Sequence, residues 1–375
     1  MDFTARLQDG LAALRAQGCL RALPPEPRGL VNLSSNDYLG LGEDEAFREA
    51  FYAGLSGGAR RLSASSSRLL TGNTTEAAAL EAALARAYGA EAALVFGSGY
   101  HANTGILPAL AGKRSLVLAD RLCHASMIDG IRASGCDFFR WRHNDLGHLR
   151  ALLERHAAAW DEVFVMTESV FSMDGDRTDL AALAALKREF PNVVLYVDEA
   201  HGAGCFGETG LGCAEEAGVL GDIDLVVGTF GKALCSTGAY AICSRIVRET
   251  LVNRMRPFIF TTALPPVNLA WSLHVLNALP QMGARRARLR AMGRRLAEAV
   301  RRSGRPCASD SQIVPWLAGT NAAAEAAAAR FRAAGFHVLP IRPPTVPEGT
   351  ARLRFSLTAA LREEEFGRLL ELVGA

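Results

Sequence analysis

The sequence predicts an α/β fold, a mainly parallel seven-stranded sheet between helices with a smaller C-terminal α/β domain. Three observations carry this reading. Between residues 73 and 244, apolar runs of strand length alternate with segments of helix length, a pattern that gives a parallel sheet covered on both faces. Two of those runs end in polar groups, Asp198-Glu199-Ala200-His201 in one and Gly231-Lys232 in the other. Ligands on such sheets bind at the carboxyl ends of the strands. After Pro265-Pro266 the texture changes to long helices and then to a mixed tail.

The elements follow in order. Residues 3–17 read as a short amphipathic helix with Leu7, Leu11 and Leu14 on one side. The Pro-rich link Leu23-Pro24-Pro25-Glu26-Pro27 precedes a short strand over 30–33 and the polar turn Ser34-Ser35-Asn36-Asp37. Asn73 followed by Glu76 reads as a capping box that opens a helix through Ala87. Strands are expected at 92–96, 115–119, 137–141, 162–167, 193–197, 223–228 and 238–243, with helices such as 145–157 and 179–189 between them. Residues 267–302 read as long helices, and 312–375 as mixed strands and helices. The stretch Arg285 to Arg302 is strongly basic, but interleaved Leu289, Met292 and Leu296 mark an amphipathic surface helix rather than a nucleic-acid element. The expected division is an N-terminal helix and arm over 1–40, a large domain over 41–267 and a small domain over 268–375.

Composition narrows the function classes. Hydrophobic residues make up 49% of 375 and charged residues 21%, which suits a globular enzyme. A net charge of +2 gives no reason to expect nucleic acid. The eight cysteines are scattered without C-x-x-C spacing, so neither a metal site nor a disulfide framework is expected. The N-terminal residues lack the apolar core of a signal peptide, and no stretch reaches the ~20 apolar residues of a membrane span. A cytoplasmic protein with no membrane partner is the expectation.

The chemistry-bearing residues cluster near strand ends. Phe96-Gly97-Ser98-Gly99-Tyr100 follows a strand and opens a helix, where small residues and a helix N-terminus accommodate an anion. Such turns are common, and this one gains force only from the acid and lysine downstream. Lys232 has no charged neighbour for several residues and lies between two buried strands, which suits a reactive amine. Asp198 and His201 sit three apart just past a strand. His124 follows the strand over 115–119, where it either stacks on a ring or merely starts a helix; Ser172 follows the strand over 162–167, where it is otherwise an ordinary turn serine. A lysine amine, a carboxylate and a further polar group are what pyridoxal phosphate needs, for its aldehyde, its pyridine nitrogen and its ring oxygen.

The motifs Asn32-Leu33-Ser34-Ser35-Asn36-Asp37-Tyr38-Leu39-Gly40-Leu41, Ser67-Arg68-Leu69-Leu70-Thr71-Gly72, the 198–201 run and Thr229-Phe230-Gly231-Lys232 resemble the α-oxoamine synthases. These are fold-type I pyridoxal phosphate-dependent transferases, and the resemblance covers nearly the whole chain. It implies that Lys232 forms the imine with the cofactor and shuttles a proton at Cα. Asp198 would pair with the pyridine nitrogen, His201 with the phenolic oxygen, and His124 would stack on the ring. Gly99, Tyr100, Ser172 and Thr229 would contact the cofactor. Asn36 and Arg354 would hold the amino-acid carboxylate, while Arg21 and Thr345 would touch the acyl substrate. Thr262 resembles the residue that reaches the phosphate from the other subunit, implying a homodimer with shared active sites.

Within the family, Ile341-Arg342-Pro343-Pro344-Thr345-Val346-Pro347 with Gly349-Thr350-Ala351-Arg352-Leu353-Arg354 is most similar to members that condense L-alanine with a pimeloyl thioester in biotin synthesis. Acetyl transfer to glycine is the nearest alternative activity. A non-catalytic partner subunit is disfavoured by the presence of Lys232, Asp198 and His201. One departure stands out: Ser63-Ala64-Ser65-Ser66-Ser67 replaces the glycine-rich run of many members.

Overall fold

The structure, a computed structural model, describes residues 2–374. Along the chain come β1 (Val31–Asn32), β2 (Ala92–Phe96), β3 (Ser115–Asp120), β4 (Asp137–Trp141), β5 (Glu162–Glu168), β6 (Val193–Asp198), β7 (Leu225–Thr229) and β8 (Ala239–Cys243). The C-terminal part adds β9 (Ile313–Gly319), β10 (Phe336–His337), β11 (Pro340–Ile341) and β12 (Ala351–Ser356). The chain forms two compact units.

The larger unit comprises Asp37–Ser172 and Arg177–Arg288. Its seven strands lie in the order β2-β8-β7-β6-β5-β3-β4. β8 runs antiparallel to both of its neighbours, and the other pairings are parallel. Every residue of β2, β3, β7 and β8 is buried, as expected for strands covered on both faces. One face packs Phe164, Met166 and Tyr196 against Ile106, Met127 and Ile131. Each such side chain contributes roughly 1.5–3 kcal/mol by leaving water.

Two helices on that face set up the site. The helices Gly99–Leu110 and Ala125–Ser134 cross so closely at Gly130 that an added Cβ would lie 2.2 Å from the Asn103 carbonyl oxygen. β5 and β6 pair in register with Glu168 opposite Asp198. Alternation along the strands therefore puts both carboxyl side chains on the same face. The helix expected from an Asn73 cap instead spans Thr75–Ala87, capped by Thr74, whose hydroxyl accepts the Ala77 N–H. The Asn73 side-chain oxygen Oδ1 is engaged elsewhere, accepting from Arg68 Nε at 3.0 Å.

The smaller unit comprises the chain up to Asn36, the insertion Met173–Asp176, and the chain from Leu289 onward. β1 pairs in parallel with β10, and β12 lies between β11 and β9 in an antiparallel sheet. Leu289, Met292 and Leu296 of the basic helix are buried, as the amphipathic reading requires. The insertion is fastened by Gly175, whose φ is +69°; a Cβ there would lie 1.9 Å from the Ile313 carbonyl oxygen. Asp174 also pairs with the buried Arg352 guanidinium. All eight cysteines are free, and no group of described residues could hold a metal ion. Among the described residues, no helix is long and apolar enough to cross a membrane.

Candidate active site

Lys232 lies just beyond β7, and its Nζ is 2.8 Å from His201 Nε2. The other ring nitrogen, Nδ1, is 2.6 Å from the Tyr38 hydroxyl. Asp198 ends β6. Its Oδ2 accepts from Asn103 Nδ2 at 2.7 Å, and its Oδ1 accepts the Ala200 N–H at 2.8 Å. Asn103 is itself fixed: its amide nitrogen donates to Ser126 Oγ, and its oxygen accepts from the Tyr196 hydroxyl. A buried carboxylate held on both oxygens presents its charge in one direction.

The loop after β6 wraps around Glu199. This fully buried carboxyl accepts from Ser169 Oγ at 2.5 Å and from the Ala214 N–H at 2.7 Å. Added Cβ atoms at Gly202 and Gly212 would lie 1.9 and 2.6 Å from it, so only glycine permits the wrap. Burial pushes the Glu199 carboxyl up to about 7, against the opposing hydrogen bonds from Ser169, Ala214 and Cys213. Burial likewise pushes Glu168 well above the usual carboxyl range, and the Asp198 charge adds to the effect. One Glu168 oxygen, Oε1, has no hydrogen-bond partner. Glu168 is thus a buried carboxyl beside Asp198 whose ionisation is disfavoured.

His124 caps the helix Ala125–Ser134, its Nδ1 accepting the Ser126 N–H at 3.2 Å. It therefore does start a helix, but within the electrostatic reach of the site. Desolvation holds its imidazole below the usual range; the Asp198 charge opposes this and Lys232 reinforces it. Gly99 and Tyr100 occupy the first turn of the helix Gly99–Leu110, whose first amides lack intrahelical acceptors. A Cβ on Gly99 would sit 3.9 Å from Thr229, which places the helix start beside the end of β7. The Thr229 hydroxyl donates to the Gly238 carbonyl and accepts the Gly231 N–H, bracing the turn that carries Lys232. The Tyr100 ring is half-exposed, with its hydroxyl donating to Asp129. Ser172 is the last residue before the inserted segment Met173–Asp176. Thr262 shares a small cleft with Arg68, Phe96, Gly97 and Thr261.

The smaller unit brings together the residues assigned to substrate. Both terminal nitrogens of Arg354 lie 3.4 Å from Asn36 Oδ1, and one also donates to Ser356 Oγ. Arg21 donates to Thr345 Oγ1 at 2.7 Å, across 324 residues of sequence.

Sequence reasoning assigned no role to Tyr38, Asn103, Ser126 or Glu168. Asn103 offered a signal, a polar residue one turn after Gly99 on the same helix face. Glu168 ends a buried strand as Asp198 does, and the same argument applied to it.

The chain matches the family described as aminotransferase class I and II over residues 28–373. It is 50% identical over 369 residues to a Pasteurella multocida (strain Pm70) protein named "Putative 8-amino-7-oxononanoate synthase", covering 96% of this chain and 95% of the relative. Among solved structures it is similar to a single-residue variant of serine palmitoyltransferase from S. paucimobilis with a bound PLP–myriocin aldimine. That match has a TM-score of 0.88 and 29% identity, covering 100% of this chain and 98% of the other. An 8-amino-7-oxononanoate synthase from Francisella tularensis matches with a TM-score of 0.77 and 27% identity, covering 92% of this chain and 97% of the other.

Proposed function

The chain belongs to the aminotransferase class I and II family, and from that premise we propose that it is a pyridoxal phosphate-dependent acyltransferase of biotin synthesis. In this reading it condenses L-alanine with a pimeloyl thioester to give 8-amino-7-oxononanoate, releasing carbon dioxide and the thiol carrier. The single observation behind the substrate assignment is the 50% identity over 96% of the chain to a relative bearing that enzyme's name.

The donor set fits the cofactor. Lys232 offers a primary amine for the aldehyde, and Asp198 a fixed carboxylate for the pyridine nitrogen. His201 would meet the phenolic oxygen and His124 the ring face. Gly99, Tyr100, Ser172 and Thr229 would hold the remainder, with Thr262 contributing from a second subunit of a homodimer. When bound, the cofactor supplies an electron sink for the charge left at the amino acid's Cα.

The chain's own residues do the rest. Arg354 presents a guanidinium fork, which suits a carboxylate in two-pronged fashion, and Asn36 already touches that fork. Lys232 takes the Cα proton of alanine and later returns one. Such transfer by a placed base is worth roughly 10²–10⁴-fold. Asp198, held by Asn103 and the Ala200 amide, keeps its negative charge aimed at one point. Arg21 and Thr345 serve the acyl chain.

Assaying L-alanine and glycine against pimeloyl, acetyl, succinyl and palmitoyl thioesters tests the reading. Fastest turnover is expected for L-alanine with a pimeloyl thioester. Faster turnover of glycine with acetyl-CoA would reassign the chain to acetyl transfer.

A further inference from the structure

Tyr38 is wholly buried, and its hydroxyl lies 2.6 Å from His201 Nδ1. His201 is 4% exposed, and its opposite nitrogen lies 2.8 Å from Lys232 Nζ. Tyr38, His201 and Lys232 therefore form one hydrogen-bonded row, drawn from three places in the sequence. The backbone around Tyr38 is itself pinned: the Asp37 carboxylate accepts the Leu41 N–H at 2.9 Å and the Gly42 N–H at 2.8 Å. The phenol ring is tilted 49° to the imidazole, so the two meet through the hydroxyl and not by stacking.

A neutral imidazole carries one proton, and the bond made by one nitrogen decides which nitrogen has it. A phenol is a better donor than acceptor, because its oxygen lone pair is shared with the ring. A buried hydroxyl hydrogen also needs an acceptor, and Nδ1 is within reach. We propose that Tyr38 is a positioning residue that donates to His201 Nδ1 and so fixes the imidazole proton on Nε2, facing Lys232. His201 then presents an N–H donor, not a lone pair, to whatever oxygen is brought beside the lysine. The inference rests on the lysine-based cofactor chemistry proposed above: an ammonium on Lys232 would need Nε2 as its acceptor, whereas the reactive neutral amine accepts the Nε2 N–H.

The test uses the full-length protein free of cofactor, followed from neutral to alkaline pH so that an amine and not an ammonium faces Nε2. Nitrogen-15 NMR of the imidazoles separates protonated from unprotonated ring nitrogens, and the His201 signals are assigned by their loss in His201→Gln. Wild type is expected to show a protonated Nε2 and an unprotonated Nδ1. Tyr38→Phe keeps the ring and removes only the hydroxyl. It is expected to abolish that single pattern and to weaken pyridoxal phosphate binding by roughly three- to tenfold, the worth of one hydrogen bond. Wild-type His201 protonated on Nδ1 overturns the inference, and this measurement needs no variant to fold. An unchanged His201 pattern in Tyr38→Phe overturns it equally. Wild-type protein that takes up no pyridoxal phosphate, tested in the same titration, would instead strike at the functional reading. The NMR result would still judge the tautomer.

Discussion

Replacing Glu199 with glutamine should make stability less dependent on pH. The carboxyl is fully buried, and burial pushes its pKa from the ordinary 4.5 up to about 7. A raised pKa means the folded state binds the proton more tightly than the unfolded state does. The stabilisation from that proton is complete below the unfolded pKa and is lost as pH rises through the folded value. The difference between these two values is worth about 3 kcal/mol, and most of it falls between about pH 5 and about pH 8. Glutamine keeps the shape, can accept the Ala214 N–H through its oxygen, and can donate to Ser169 Oγ through its nitrogen. It cannot ionise. Urea midpoints of cofactor-free wild type and Glu199→Gln, taken at one protein concentration across that range, measure the difference directly. The variant should gain on wild type by roughly 2–3 kcal/mol from the acid to the alkaline end. Parallel curves would refute the argument, because they would mean that Glu199 titrates alike in both states.

Four further outcomes are expected. Glu168→Gln should keep wild-type cofactor affinity, because burial and the Asp198 charge both disfavour the ionised form of Glu168; a loss beyond about tenfold, measured by titration, would show that its ionised form is the working one. Asp198→Asn should lower turnover by well over tenfold, because an amide cannot balance a pyridinium charge; a variant retaining more than about a tenth of the activity, under ~1.4 kcal/mol of barrier, removes that role. Arg354→Lys should weaken the spectral titration with L-alanine without changing cofactor affinity, because an ammonium cannot copy the fork that meets Asn36. Gly175→Ala should destabilise the protein by about 2–3 kcal/mol in urea unfolding, because a side chain there meets the Ile313 carbonyl and the backbone is left-handed.

The sheet was legible because its inner strands are apolar runs bounded by polar turns, and burial on both faces demands that composition; the edge strand β4, exposed up to Trp141, is the exception. β7 came out as Leu225–Thr229, two residues later than its apolar run begins, and Thr74 displaced Asn73 as a helix cap. Both are boundary effects, which apolar spacing constrains weakly. The reversed direction of β8 has no signature in apolar spacing, which reads the same either way along a strand. Lys232, Asp198 and His201 stood out because polar groups closing buried strands are conspicuous. Tyr38 and Asn103 did not, because their importance lies in what they touch, His201 and Asp198, at sequence separations of 163 and 95 residues. Nothing in the sequence marks Met173–Asp176 as packing with the C-terminal tail. That packing depends on one glycine meeting one carbonyl and one aspartate meeting Arg352.

The pairing of β1 with β10 has a consequence for synthesis on the ribosome. Ser34, just after β1, accepts the Leu339 N–H across 305 residues. At ~5–20 residues per second, the N-terminal segment must wait roughly 15–60 seconds for that partner to be made. The larger unit, by contrast, is finished at Arg288 and can close its sheet while the rest is still being translated. β1 is thus made well before β10 and finds its place only when β10 appears. A ribosome that stalls between codons 289 and 335 would leave a folded sheet trailing a bare leader with nothing to pair against.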